Sequence, residues 1–489
     1  LTRPTAAIAR HAAAYATGSV VGGITRAVLL PVIARTLSAE EFGVLSLLLA
    51  ATNLLHLVFE LGLVTALIKF HSETHDLDER KRLRSTVFLL MPLLDLIVAG
   101  PLLLGRTFLS QVLFGTGVHA ALVAVAVAIA FFAAQFQLFL GHLRADDRSR
   151  EFALLMAAKG AITLSVTLFL VFALDRGVSG FLLGNLAGSA AVTVVAVPRR
   201  FVRHGVDLTG ARDRLRRMLR FGVPLVPAAL GLWALGNLDS WLLRVLADLR
   251  AVGVYGFGSE ICLPIALLLA SINLAWPSFA FSRARADGGA EEVARVFRHL
   301  FVVLVGGALA VAALRREILL VLGTDTYAAA ARVIPPLALA TCIYGAAQAF
   351  GTGLQVAGDT RRLPLLVLVA VAANAGLNVL AIPVWREVGA AWVTVGTNSV
   401  LAALILRESH RQFRIPFEVG RLVRVVLAAA AALVVADRTA GLPLPAGAAA
   451  RLVVVALFPP ALVVAGAVSA AELRALPRVA REILTRRTA

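Results

Sequence analysis

Apolar runs long enough to cross a bilayer, about 20 residues each, recur along the whole chain and are separated by short polar segments. Leu363–Ile382 and Val453–Val468 carry no charged residue at all. Hydrocarbon offers no partner to a backbone N–H or carbonyl, so such runs must form helices. The pattern predicts spans near 12–34, 42–67, 85–104, 119–140, 152–174, 177–197, 221–246, 252–275, 297–314, 333–356, 363–383, 388–406, 421–436 and 448–468. The eleventh and twelfth lie so close that they form a tight hairpin. The first is longer than a signal-peptide core and has no convincing small-residue cleavage site after it, so it is expected to be retained. The fold class is therefore an all-α integral membrane protein of about fourteen transmembrane helices.

Composition agrees with this reading. Of 489 residues, 59% are hydrophobic and only 16% charged, where a soluble chain carries about 25%. The two cysteines, Cys262 and Cys342, sit inside apolar segments and make no disulfide framework or metal-ligand spacing. Lysine occurs at only three positions, 69, 81 and 159, so arginine supplies nearly all the positive charge.

The basic residues orient the spans. With the N-terminus inside and loops alternating, 34 of the 47 Lys and Arg residues fall on the inner side and 11 on the outer. Arg26 and Lys159 remain within spans. The inner set includes Lys69 with Arg80–Arg84, then Arg144, Arg148 and Arg150, then the run from Arg199 to Arg220, and finally Arg474–Arg487. Such an excess marks the cytoplasmic face. Both ends are therefore expected there, in a bacterial inner membrane. A net charge of +18 by itself suggests nucleic acid, but a one-sided collar with few aromatics fits an anionic leaflet instead. Membrane lipids are the expected partners of these charges, and nucleic acid is not.

An internal repeat divides the chain. Ala133-Ala134-Gln135 with Asp146 and Arg148 matches Ala346-Ala347-Gln348 with Asp359 and Arg361 at an offset of 213, and Phe42-Gly43-Val44 matches Val252-Gly253-Val254 at an offset of 210. Six helices per copy keep the same orientation, a parallel repeat. The expected division is two six-helix lobes, 1–205 and 211–410, followed by two C-terminal helices and a basic tail in 411–489.

Several local patterns resemble the polysaccharide-transporter branch of the multidrug/oligosaccharidyl-lipid/polysaccharide exporter superfamily. They are Arg35-Thr36-Leu37-Ser38-Ala39-Glu40-Glu41-Phe42-Gly43, Glu60-Leu61-Gly62-Leu63, Asn237-Leu238-Asp239, and Val252-Gly253-Val254-Tyr255. The most specific is Gly358-Asp359-Thr360-Arg361 followed by Asn374, Leu377-Asn378, Ile382-Pro383 and Gly389-Ala390-Ala391. The resemblance implies a V-shaped, two-lobed fold. It also implies a flippase for undecaprenyl-pyrophosphate-linked sugar repeat units serving O-antigen, capsule or exopolysaccharide synthesis, working beside a polysaccharide polymerase and glycosyltransferases.

A charge at the centre of a spanning helix costs about 2.5–3.5 kcal/mol on insertion scales, so each deep one is a candidate. Arg26, between Gly22-Gly23 and Pro31, suits a lipid pyrophosphate through paired guanidinium hydrogen bonds, or forms an ion pair with Glu60 or Asp239. Lys159 either snorkels to the headgroups or lines a cavity. Asp239 carries a coupling cation or proton, or neutralises Arg26. Glu60 and His56, four apart on one helix face, form a proton relay unless His56 merely packs. Glu260 lies within the eighth span, Asp95 follows Pro92, and Arg244 reads as a headgroup anchor. Gln135 and Gln348, at equivalent repeat positions, bind sugar hydroxyls or tie neighbouring helices.

No Ser/His/Asp arrangement, zinc spacing or phosphate-cradling loop appears, so no catalytic residue, metal or cofactor is expected. The longest outer segment, about residues 315–332, lacks the catalytic cluster of a membrane glycan polymerase or ligase. The nearer rivals belong to the same superfamily. A multidrug cation exporter tends to have an acidic cavity, and a lipid II flippase more cavity arginines.

Overall fold

A computed structural model describes residues 21–470, apart from His75, Gly323, Thr324 and Thr360, together with Glu472. The start of the expected first span and the basic stretch Arg474–Arg487 lie outside the described residues. The described residues are helical, with no strand among them.

They form two compact units, one ending at Arg244 and the other beginning at Val245. The first contains α1 (21–36), α2 (Ala39–Glu60), α3 (Leu63–Glu73), α4 (Leu77–Leu104), α5 (Arg106–Phe114), α6 (Ala120–Ala145), α7 (Ser149–Phe172), α8 (Gly177–His204), α9 (Ala211–Gly222) and α10 (Val226–Leu246), whose last residues cross the boundary. The second contains α11 (Leu249–Ile261), α12 (Leu263–Arg283), α13 (Gly289–Ala313), α14 (Arg315–Leu322), α15 (Ile334–Phe350), α16 (Thr352–Ala357), α17 (Leu363–Gln412), α18 (Val419–Arg438) and α19 (Leu444–Val464).

Twelve stretches among the described residues are long and apolar enough to span a membrane. One of them, the 50-residue α17, contains Arg386 at φ 49° and ψ −132°, where its helical path breaks. It therefore makes both arms of the expected hairpin. Counted as two, it brings the candidate spans among the described residues to thirteen, and of the first expected span only the part in α1 is described. The eighth span needs a correction. The apolar stretch expected at 252–275 is cut at Cys262, and the spanning helix is Leu263–Arg283. Pro264 is the reason: it has no N–H to continue α11, yet suits the first turn of α12.

The repeat is visible in the order of elements. In the first unit α4, the short α5 and α6 are followed by two more long helices, and in the second α13, the short α14, α15 and the two arms of α17 follow in the same order. Matching caps start the sequence in each. Ser38 closes a capping box with Glu41 ahead of α2, and the Asp248 carboxylate accepts from the Ala251 N–H (2.8 Å) ahead of α11. The unit boundary falls at 244/245, with α9 and most of α10 in the first unit. The C-terminal helices pack with the second.

Lipid tails are as apolar as leucine, so helices associate in a membrane through close packing and polar ties. Both devices occur in the first unit. Gly180, Gly184 and Gly188 recur every four residues on α8 against α7, and a Cβ on Gly184 would lie 2.9 Å from the Thr167 nitrogen. Leu61 and Gly62 take left-handed conformations between α2 and α3 (φ 48° and 68°). There the chain meets Gly222, whose Cβ would lie 2.5 Å from the Leu61 carbonyl oxygen. The buried Arg214 of α9 grips Glu79 of α4 through two bonds of 3.0 Å and donates to Thr86 at 3.0 Å. Nearby, Arg82 binds Asp207 at 2.8 Å and holds that carboxyl far below its usual range. A carboxyl depressed in the folded state contributes stability above its unfolded pKa and loses it only in strong acid.

In the second unit the ties bind α18 and α19. Buried Arg298 of α13 pairs with Glu418 and Glu472, Arg451 with Glu317, and Arg315 with Asp437 (2.7 Å). Trp276, Phe297, Phe350 and Phe417 form an aromatic cluster, and the Trp276 indole donates to Thr352 at 2.7 Å. Outward faces carry exposed leucine, valine and tryptophan, as on α4 (Leu93, Leu96, Ile97) and α17 (Leu380, Val384, Trp385, Trp392).

Gly222→Val is expected to destabilise the protein by about 1–3 kcal/mol, because its side chain must displace backbone. Gly236→Val, in open space, should be tolerated. Thermal unfolding in detergent distinguishes the two.

Candidate functional site

Charged and polar side chains converge inside the first unit. His56 and Glu60 stand one turn apart on α2, Nε2 to Oε2 3.7 Å, each about one-fifth exposed. The Lys159 ammonium of α7 lies 5.0 Å from the centroid of the Phe136 ring of α6. It also lies close enough to His56 for their charges to interact. Arg144, at the end of α6, acts in the same way on Glu60. Beside Phe136, the Gln135 amide donates to Asp95 of α4 at 2.5 Å, with Asp95 only 2% exposed.

α1 reaches the same cluster. A Cβ on Gly160 would lie 2.9 Å from Val21 and 3.0 Å from the Thr25 hydroxyl, so α1 crosses α7 at the residue after Lys159. Arg26 follows Thr25 on α1, one residue past this crossing. Arg26 is exposed and Lys159 half-buried. Among the described residues no carboxylate comes within 4.0 Å of the Lys159 ammonium. The Phe136 ring face beside it is a weak compensation for a charge at membrane depth. The arrangement favours an anion.

The other expected site residues are placed as follows. Asp239, 2% exposed, lies within α10 beside the Trp233–Trp241 pair. Arg244 donates to the Phe114 carbonyl, at the C-terminal end of α5, where a cation is favoured. Glu260 and Gln348 belong to the second unit: Glu260 is half-buried near the end of α11, and the Gln348 carbonyl oxygen accepts from Asn273 of α12. Both glutamines thus tie helices, α6 to α4 and α15 to α12. Arg144 and Phe136 are the members that sequence reasoning missed. Arg144 reads there as one of many inner-loop arginines, and Phe136 as one apolar residue among many. A further convergence of side chains, His71, His142 and Asp146, adjoins Arg144 at the end of α6.

Comparisons with known proteins agree with the fold. The family model described as "Polysaccharide biosynthesis protein" matches residues 8–280. A second, MatE, matches residues 224–380. No curated protein matches the chain. Among solved structures, the lipid II flippase MurJ in its inward closed conformation is similar with a TM-score of 0.71 at 14% identity, over 91% of this chain and 98% of that one. An inward-facing multidrug resistance MATE family transporter of the MOP superfamily gives 0.67 at 15% identity, over 80% of this chain and 94% of that one. A MATE in its straight conformation gives 0.60 at 15%, over 84% and 96%. At these identities the likeness establishes the fold.

Gln135→Leu leaves Asp95 buried without its amide and is expected to cost about 1–3 kcal/mol. The double variant Asp95→Leu/Gln135→Leu should recover part of that loss. Unfolding of wild type, both single variants and the double in detergent measures the coupling, and strict additivity would contradict the tie.

Proposed function

Since the chain belongs to the polysaccharide biosynthesis protein family, we propose that it is a flippase for undecaprenyl-pyrophosphate-linked oligosaccharide repeat units. It carries them from the cytoplasmic to the outer leaflet of a bacterial inner membrane, by alternating access. The products feed O-antigen, capsule or exopolysaccharide synthesis, with glycosyltransferases upstream and a polymerase downstream. The role is transport rather than catalysis, and the charge bias of the loops supports cytoplasmic termini.

The observation that carries this reading is Lys159, an ammonium within a spanning helix with no carboxylate against it among the described residues. A pyrophosphate would supply the missing charge. Arg26, one residue past the crossing on α1, would add a planar donor pair that matches phosphate oxygens. Glu60, with His56 one turn before it, and the buried Asp239 are the acidic groups through which a proton or cation would couple. Glu260 would serve the second unit in that role. Gln135 and Gln348 enter as helix ties rather than sugar contacts.

Lipid II is the second reading, because the fold shared with its flippase extends over 91% of this chain. A cationic drug fits less well beside Lys159.

The test is transfer in proteoliposomes of three cargoes: a fluorescent undecaprenyl-pyrophosphate oligosaccharide, lipid II and a cationic dye. The oligosaccharide is expected to move, and Arg26→Ala and Lys159→Ala should each slow it about tenfold or more, the effect of losing one charge-assisted hydrogen bond, with thermal unfolding unchanged. Movement of the dye alone would overturn the proposal in favour of a drug exporter.

A further inference from the structure

A second polar cluster stands at the far ends of α3 and α6, and the transport reading does not use it. His142 and Asp146 are four residues apart, which puts them on one face at the end of α6, where Asp146 is the C-cap. His71 comes from the last turn of α3. It reaches α6 because that contact is close: a Cβ on Gly141 would lie 2.9 Å from Val64 Cγ1, so only glycine beside His142 lets α3 approach.

The three side chains converge. His71 Nε2 lies 3.0 Å from Asp146 Oδ1 and His142 Nε2 3.4 Å from Asp146 Oδ2. One ligand atom from each of the three residues lies within 4.8 Å of the others. The imidazoles stand edge to face, 6.0 Å between centroids, and both are buried, His71 at 4% and His142 at 1% exposure. Phe88 and Phe139 wall His142, with ring centroids at 5.8 and 6.5 Å.

We propose that His71, His142 and Asp146 bind a divalent transition-metal ion of the zinc class and so clamp α3 to α6. Bonds of about 2.0–2.1 Å in a tetrahedron set neighbouring donor atoms about 3.4 Å apart, near the two separations observed. Two imidazoles and one carboxylate suit zinc, cobalt or nickel. Calcium and magnesium prefer all-oxygen shells. Water supplies the fourth position, reached from the side where Asp146 is partly exposed. The apolar wall holds the imidazoles in place, as the surroundings of metal sites do. A plain hydrogen-bonded His–Asp–His group would need no metal, and the test separates the two.

The experiment uses the full chain without a polyhistidine tag, purified in detergent and stripped with a chelator. Cobalt is titrated and followed by its visible d–d bands, and zinc by competition with a chromophoric chelator. The proposal expects one equivalent bound, a rise in unfolding temperature with zinc, and binding at least about 10–100-fold weaker in His71→Gln and His142→Ala. His119→Ala, a histidine outside the cluster, should bind as wild type. Wild-type protein that takes up no cobalt or zinc overturns the proposal however the variants fold. So do variants that fold and bind with unchanged affinity.

Discussion

Water is missing from the middle of a bilayer, and most of what this chain does follows from that one constraint. Backbone groups must pair within their own helix, which makes the described chain helical throughout its spans. The same absence removes the usual reason for helices to associate, so contact depends on glycine and on buried polar pairs. Gly184 and Gly188 bring α8 onto α7, Gly222 lets the turn at Leu61–Gly62 seat itself, and Gln135 fastens α6 to Asp95. Charges concentrate at helix ends, where Arg214 with Glu79 and Arg298 with Glu418 and Glu472 staple elements together.

Against that background a lone ammonium within a span is informative. A structural ion pair would bring its own carboxylate, as Arg451 brings Glu317. Lys159 has an aromatic face and a histidine instead, with Arg26 carried past it on the crossing helix. On the proposed reading, this site is completed by an anionic cargo. That requirement joins the family membership to a specific kind of cargo, and it explains why the positive charges of the cluster matter more than its glutamines.

Much of this was legible in the sequence. Uninterrupted apolar runs located the spans because length and hydropathy are local properties, and the alternation of arginine between loops is local as well. The repeat was legible in Gln135 and Gln348, whose equivalent helices recur in the same order in the two units. What escaped were features set by contact. The break at Cys262–Pro264 lies inside an apolar run, where hydropathy is blind to a chain that stops and restarts. The packing of α9 and α10 with the first unit depends on Gly222 meeting Leu61–Gly62, across a long sequence separation. Nothing local to Arg144 sets it apart from the other inner-loop cations, and His71 and His142 carry no recognisable ligand spacing. Which of the two roles open to the glutamines they take is likewise set by contact: Gln135 meets Asp95 and Gln348 meets Asn273, on the helices next to them.

The central claim is that Lys159 faces a water-filled, anion-accepting space. Cys262 and Cys342 are the only cysteines, so replacing both by alanine and introducing Lys159→Cys gives a single reporter. The account predicts that a membrane-impermeant thiol reagent labels this cysteine in proteoliposomes, and that undecaprenyl pyrophosphate slows the labelling. A cysteine at 159 that stays unlabelled, while one at the exposed loop position Arg176 reacts freely, would contradict it.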